Sequence, residues 1–195
     1  MAEIVVIQAS PRPNGFSSHV VDLLLERLEE EYSELGIRRF DVSDVAIKGC
    51  NGCDYCEAER ECIIQDEMAQ LIEGLLTADC VFVVSPVYFS GAPSQFKAVL
   101  DRLQPLFWRR LAIKKSGEPL PRKRPAFLYV VGSGGDPHGY QSLFSEVTSS
   151  FALADLRVLL VQDFIGYDSP KKIKASDLII PKDLSCLLYT SPSPR

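Results

Sequence analysis

Cys50, Cys53, Cys56 and Cys62 stand in a C-x2-C-x2-C-x5-C spacing within thirteen residues, and they account for four of the six cysteines in the chain. Thiols recurring every third residue in a short loop can all turn toward one point. A metal ion or cluster requires that of its ligands, and four thiolates suit either zinc or an iron–sulfur cluster. Zinc usually draws its ligands from two separated pairs. Three thiols in one tight run with a fourth beyond are closer to a cluster pattern, although five residues precede the fourth cysteine and no proline follows it. A loop of idle thiols whose ancestor held a cluster is the competing reading.

Three further loops carry residues suited to a phosphorylated, flat ligand. The first is Ser10-Pro11-Arg12-Pro13-Asn14-Gly15-Phe16-Ser17-Ser18. Its hydroxyls, single guanidinium and backbone amides lie ahead of a helix N-terminus, where the positive end of the dipole favours phosphate. It has neither the triphosphate-loop nor the dinucleotide-loop glycine pattern, so a single terminal phosphate fits best. Alternatively the serines and Asn14 only cap and turn the chain, and Arg12 is a surface charge. The second is Ser85-Pro86-Val87-Tyr88-Phe89-Ser90-Gly91-Ala92-Pro93, a rigid loop that can lie along a flat ring or simply pack its aromatics. The third, from Gly132, Ser133, Gly134 and Gly135 through His138 to Tyr140, has four glycines that let backbone approach a ligand closely. His138 reads as an ordinary polar loop residue, and no acid–base residue is required.

The elements that must position these loops alternate between strand and helix. Residues 3–8, 37–42, 80–85, 125–132 and 158–162 read as strands rich in β-branched and apolar residues. Helices are expected with Val20, Val21, Leu24, Leu25 and Leu28 on one face, over 66–76, from Pro93 through Leu103, and over 140–154. Ser17 or Ser18 is the expected N-cap of the first helix, and Gly36 its expected stop. This rhythm implies a doubly wound parallel sheet covered on both faces, with ligands outside the carboxyl ends of its strands. Cys80, inside the third strand, reads as a core residue.

Residues 109–124 hold seven basic side chains and one acidic one without apolar periodicity. They read as a solvated connector, or as a site for an anionic partner. Residues 184–195, ending Ser-Pro-Ser-Pro-Arg, cannot continue a fifth helix. They are read as a non-native tail that includes Cys186, with residues 1–183 forming one domain whose last helix is missing. On that reading the first helix covers its face alone and leaves part of the fifth strand open.

At 195 residues, 46% apolar and 24% charged, the composition is that of a globular protein, and no apolar run approaches the ~20 residues of a membrane span. A formal net charge of −5 argues against a nucleic-acid partner. Clustered cysteines without an export signal imply thiol or metal chemistry in a reducing compartment, hence a cytoplasmic location.

Taken together the motifs resemble those of the NAD(P)H-dependent FMN reductases of the flavodoxin-like superfamily, and within it the iron–sulfur flavoproteins. Ser10-Pro-Arg12-x-Asn14-Gly15-x-Ser17 resembles the family's FMN phosphate loop, with Ala9 where glycine is common. Ser85-Pro-Val-Tyr88-Phe89-x-Gly91 through Lys97-Ala-x-x-Asp101-Arg102 resembles its isoalloxazine loop and the following helix. The cysteine loop running into Cys62-Ile-Ile-Gln-Asp66-Glu-Met68 resembles the cluster segment. The resemblance spans residues 3–165.

It implies the strand order 2-1-3-4-5. Ser10, Arg12, Asn14, Gly15, Ser17 and Ser18 are then expected to hold the phosphate of FMN. Pro86, Val87, Tyr88, Phe89 and Gly91, with Gly132, Ser133, Gly134 and Gly135, are expected to frame the ring. Cys50, Cys53, Cys56 and Cys62 become the ligands of a possible [4Fe–4S] cluster. The implied reaction is hydride transfer from NAD(P)H to flavin, with electrons passed to a quinone, nitro compound, flavin or protein acceptor by a homodimer or tetramer. A non-enzymatic electron carrier and a thiol redox sensor are the alternatives.

Overall fold

The computed structural model describes residues 2–32 and 36–181. It contains one five-stranded sheet, β1 (Glu3–Gln8), β2 (Gly36–Asp41), β3 (Cys80–Pro86), β4 (Arg124–Gly132) and β5 (Leu156–Ile165), in the order β2-β1-β3-β4-β5. Every pairing is parallel. This is the flavodoxin-like order expected. β1 and β3 are buried almost throughout, as strands covered on both faces must be, so their sequences are continuous apolar runs without alternation.

Two cores flank the sheet. Val20, Val21, Leu24 and Leu28 of α1 (Phe16–Glu31) pack on one face, against Ile4, Val6, Phe82, Val84, Phe127 and Tyr129. The other face is covered by α3 (Met68–Thr77), α4 (Ser94–Asp101), α5 (Gln104–Ser116) and α6 (Gln141–Phe151). A short helix, α2 (Tyr55–Glu59), lies in the cysteine loop and buries none of its residues. Cys80 is a core residue, as its setting in the third strand implied, and burial pushes its thiol well up.

Several local expectations are corrected. α1 begins at Phe16 with Gly15 at its N-cap and no side-chain cap, so Ser17 and Ser18 sit inside the first turn. Gly36 does not stop that helix; the helix ends at Glu31, where the Tyr32 amide donates to Leu28 O at 3.0 Å, and Gly36 opens β2. The basic stretch is not a connector throughout. Its first half is helix α5, closed by Gly117 in the left-handed region with Lys114 and Lys115 in the last turn. Only Pro105 and Leu106 of α5 are fully buried, too few to produce a periodic signal. Arg110 pairs with Asp155. Arg124 reaches inward to Leu75 O (2.9 Å), Ala154 O (2.6 Å) and Ala78 O, capping the end of α3.

β5 is followed by short 3-10 turns at Pro170–Lys172 and Ala175–Asp177, and the described residues contain no α-helix after it. Yet the expectation of an open face beside β5 is overturned. Ile173, Leu178 and Ile180 are buried with α1 in the same core, and partly buried Leu160 packs against them. The side-chain amide of Gln162 donates to Asp177 O at 2.7 Å and accepts from the Ile179 amide at 2.8 Å. Tyr129 Oη donates to Ile179 O at 2.9 Å, and Arg27 donates to Ala175 O at 2.8 Å. An irregular strap therefore does the work of a fifth helix. The reading of residues 184–195 as a tail falls outside the described residues.

The strap generates a stability prediction. Leu178, 3% exposed, should cost about 2–4 kcal/mol when truncated to alanine, within the range for buried leucines. Exposed Ile179→Ala should cost less than about 0.5 kcal/mol. Urea denaturation of the two variants checks this, and equal small losses would mean that the strap contributes nothing.

Candidate active site

The chain reverses its direction of winding between β1 and β3: β2 is laid down on one side of β1, and β3, β4 and β5 on the other. Loops leaving the carboxyl ends of β1 and β3 diverge there and open a crevice. The ends stay in register, because Gln8 pairs with Val84 and the Ala9 amide donates to Val84 O at 2.8 Å.

Gln8 organises the first loop. It is fully buried, its Oε1 accepts from the Ser10 amide at 2.6 Å, and its Nε2 donates to Arg12 O at 3.1 Å. The hydroxyl of Ser10 accepts from the Arg12 amide at 3.1 Å. The loop is thus folded by its own polar groups, and Arg12 and Asn14 are left exposed at its rim. Among the described residues Arg12 takes part in none of the ion pairs. Ser17 and Ser18 are buried in the first turn of α1, beside amides that have no intrahelical acceptor. Gln8 escaped the sequence reading because a glutamine ending an apolar strand carries no local signal.

The second and third loops meet. Val87, Phe89, Ser90, Ser133, Gly134, Gly135, Asp136, Gly139 and Ile165 line a pocket of about 270 Å3. Pro86, Tyr88, Gly91 and Gly132, expected at the ring, are chain neighbours of the lining but not part of it, and none of the lining comes from the first loop. Tyr88 and Gly91 exchange backbone hydrogen bonds of 3.0 Å around Phe89 (φ +50°) and Ser90 (φ +64°), a two-residue turn with both central residues left-handed. Such turns favour glycine or asparagine, so holding Phe89 there costs free energy.

Phe89 does not pack: it is 99% exposed. The turn is held from below. Leu143 N donates to Ser90 O at 2.8 Å, Ser142 N to the Ser90 hydroxyl at 3.3 Å, and Ala92 N to Glu146 Oε2 at 3.0 Å. Two glycines of the third loop are positionally required. A Cβ on Gly132 would stand 2.7 Å from Val87 Cγ1, and Gly134 adopts φ +84° against Ile165. A rigid, exposed aromatic one strand spacing from the first loop, beside a glycine wall two spacings away (about 5 and 10 Å), suits a flat ring with a phosphate tail. Burial, and then the charge of Asp163, push the Tyr140 phenol up at the margin of this region.

All four cysteines of the loop line a second pocket, of about 220 Å3, with Ile64, Arg102, Gln104 and Trp108. Gly52, Asp54 and Arg60 take φ values of +67°, +59° and +61°, reversing the chain on both sides of α2 so that the thiols face one volume. Burial raises the Cys56 thiol pKa, and the charges of Cys62, Cys50 and Cys53 raise it further. The donor set, four thiols around one pocket, suits a cluster. Among the described residues, however, no three His, Cys, Asp or Glu side chains are gathered tightly enough to hold a single metal ion.

The ends of the cysteine loop are tied down by Arg102, which is 1% exposed. Its guanidinium binds Asp66 bidentately, Nη1 to Oδ2 at 2.8 Å and Nη2 to Oδ1 at 2.9 Å, and donates to Lys48 O (2.8 Å) and Ile64 O (3.1 Å). Asp66 also accepts from the amides of Lys48 (3.0 Å) and Met68 (3.2 Å). Burial alone would raise the Asp66 carboxyl, but Arg102 and the two amides outweigh it and hold it below the usual carboxylate range. In the sequence both residues stood inside recognised motifs, but nothing local links positions 36 apart.

A doubly wound parallel sheet with ligand-shaped loops at its carboxyl edge defines a flavodoxin-like protein. Residues 2–163 match the NADPH-dependent FMN reductase family, and the chain belongs to that family of oxidoreductases. An iron–sulfur flavoprotein of Methanocaldococcus jannaschii is 33% identical over 104 residues, which is 53% of this chain and 53% of that protein. The chain therefore spans about half the length of that relative. An iron–sulfur flavoprotein of Methanosarcina thermophila is 30% identical over 143 residues, covering 72% of this chain and 70% of its own. The fold is similar to that of an azoreductase from Bacillus anthracis, with a TM-score of 0.62, 14% identity, and 91% of this chain and 92% of that one covered. No described helix is long and apolar enough to cross a membrane.

The Arg102–Asp66 pair predicts an acid-dependent stability. A carboxyl depressed on folding stabilises above its unfolded pKa of about 3.9, and that contribution is lost as pH falls through the lower folded value. Asp66→Asn should destabilise by about 3 kcal/mol at pH 7, the lower end for breaking a buried pair. The gap to the unmodified protein should close below about pH 4 in urea denaturation series. A gap independent of pH would show that the carboxylate charge is not what holds the loop.

Proposed function

We propose that residues 1–183 form an FMN-binding oxidoreductase domain that takes electrons from NAD(P)H and passes them to a quinone, flavin or protein acceptor. The convergence of three strand-end loops on one carboxyl edge is the observation that carries this reading. Family membership supports the cofactor class. When bound, the flavin would supply the hydride-accepting and electron-donating chemistry.

The residues of the chain position and enclose the cofactor. Arg12, free of ion pairs among the described residues, donates a charge-assisted hydrogen bond to phosphate beside Ser10 and Asn14. Gly15, Ser17 and Ser18 present amides and hydroxyls at the positive end of α1. Val87, Tyr88 and Phe89 lie along one side of the ring. Gly132, Ser133, Gly134 and Gly135 bring backbone donors to its edge, and Pro86 and Gly91 hold the turn. The active unit is proposed to be a homodimer or tetramer. We further propose that Cys50, Cys53, Cys56 and Cys62 hold a [4Fe–4S] cluster, which would relay single electrons; the shared pocket supports this.

Fluorescence titration tests the cofactor site. Arg12→Ala should weaken FMN by about 1.5–3 kcal/mol, the value of a hydrogen bond to a charged group. Riboflavin should bind weakly to both proteins and hardly notice the change. Equal affinity for FMN and riboflavin would remove the phosphate-loop assignment, and absence of NAD(P)H oxidation with a quinone acceptor would favour an electron carrier over an enzyme.

Iron and sulfide analysis tests the cluster. Anaerobically reconstituted protein should hold about four iron and four sulfide per chain, as a cubane with four thiolate ligands requires. Cys53→Ser should lose the iron and keep FMN, because the flavin loops lie on other strands. An iron-free protein with full activity would leave the cysteines without a role in electron relay.

A further inference from the structure

Arg102 has one donor more than its anchoring role uses. Its two Nη groups satisfy Asp66 and the carbonyls of Lys48 and Ile64. The Nε–H is buried and has no acceptor among the described residues. A buried, charged donor left unpaired opposes folding. The same side chain lines the four-cysteine pocket.

Cys62 lies two residues before Ile64, whose carbonyl accepts from Arg102 Nη2 at 3.1 Å. Burial lowers the pKa of Arg102, but Asp66 and Cys62 together outweigh that and raise it, and Cys62 lines the same pocket as Arg102. A ligating thiolate is a far better hydrogen-bond acceptor than a neutral thiol.

We propose that Arg102 Nε–H donates to the Cys62 sulfur when that sulfur ligates the cluster, so that one guanidinium both ties down the loop and sets the electron affinity of the centre. This rests on the reading of the loop as a [4Fe–4S] site. A hydrogen bond and a fixed positive charge at a ligand sulfur stabilise the reduced cluster, which carries one more negative charge, and raise its reduction potential. The couple gains one electron, supplied in the test by dithionite, and no proton need move.

Two variants separate this role from anchoring. Arg102→Lys keeps the positive charge but lacks the Nε–H and the planar fork. Asp66→Asn weakens the same anchor, keeps the Nε–H and removes a negative charge. Each protein, with the unmodified one, is reconstituted anaerobically with iron and sulfide and titrated with dithionite, with EPR of the reduced cluster as the readout.

Opposite displacements are expected: a more negative midpoint with altered g-values in Arg102→Lys, and an unchanged or more positive midpoint in Asp66→Asn. Loss of iron from Arg102→Lys alone counts against the donor role, because the lost bonds to the Lys48 and Ile64 carbonyls account for it. Midpoints that move alike in both variants, an unmoved midpoint in an iron-loaded Arg102→Lys, or loss of iron from both would reduce Arg102 to an anchor and overturn the inference while the cluster reading stands. An unmodified protein that takes up no iron would overturn both.

Discussion

A buried guanidinium–carboxylate pair joins two parts of the molecule that share no regular secondary structure. Arg102 ends α4, and Asp66 precedes α3; between them the pair closes a loop that begins near Lys48 and carries all four clustered cysteines. Removing two charges from water costs several kcal/mol per ion, and only good geometry with further hydrogen bonds offsets this. Here the geometry is bidentate, and two carbonyls and two amides complete it. A hydrophobic pair of similar volume could be as stable, but it would not hold the loop in one register. The pair is better understood as specifying where the thiols sit than as a net source of stability.

The sheet imposes the second constraint. A parallel sheet must cross over between strands, so all its carboxyl ends, and the loops that follow them, face one edge. This sets the Ser10 loop, the Phe89 turn and the glycine loop along one edge, although Phe89 lies 79 residues after Ser10 and Gly132 a further 43 along the chain. The details at that edge run against local preference. Phe89 and Ser90 occupy left-handed backbone, and Phe89 is held out in solvent where burial would be favoured. Such strain persists only where surrounding structure over-determines it, and the hydrogen bonds from α6 do so here.

The strap after β5 illustrates how loosely a covering element is constrained. An apolar sheet face needs area removed from water, not a helix as such. Ile173, Leu178 and Ile180 supply that area from irregular backbone, and Gln162, Tyr129 and Arg27 satisfy carbonyls that a helix would have bonded internally. The backbone polar groups of a strap must find individual partners, and those partners come from distant elements.

The amino-acid sequence by itself determined the alternation of strands and helices, the placement of the three strand-end loops and the clustering of the cysteines, while the strand order came with the family resemblance. Each follows from short-range patterns: apolar runs for buried strands, glycine and proline at turns, and thiols at fixed spacing. Motif resemblance then supplied the cofactor class. What the sequence left open depends on contacts between positions far apart. Gln8 as the organiser of the first loop, Arg102 bound to Asp66, Arg124 capping α3, and the strap in place of a helix all involve polar groups that read as surface residues in a linear chain. Helix α5 escaped for the related reason that its fold needs only Pro105 and Leu106 in the core. A side chain's partner is chosen by burial, and burial is decided only when the sheet and its covering layers have come together.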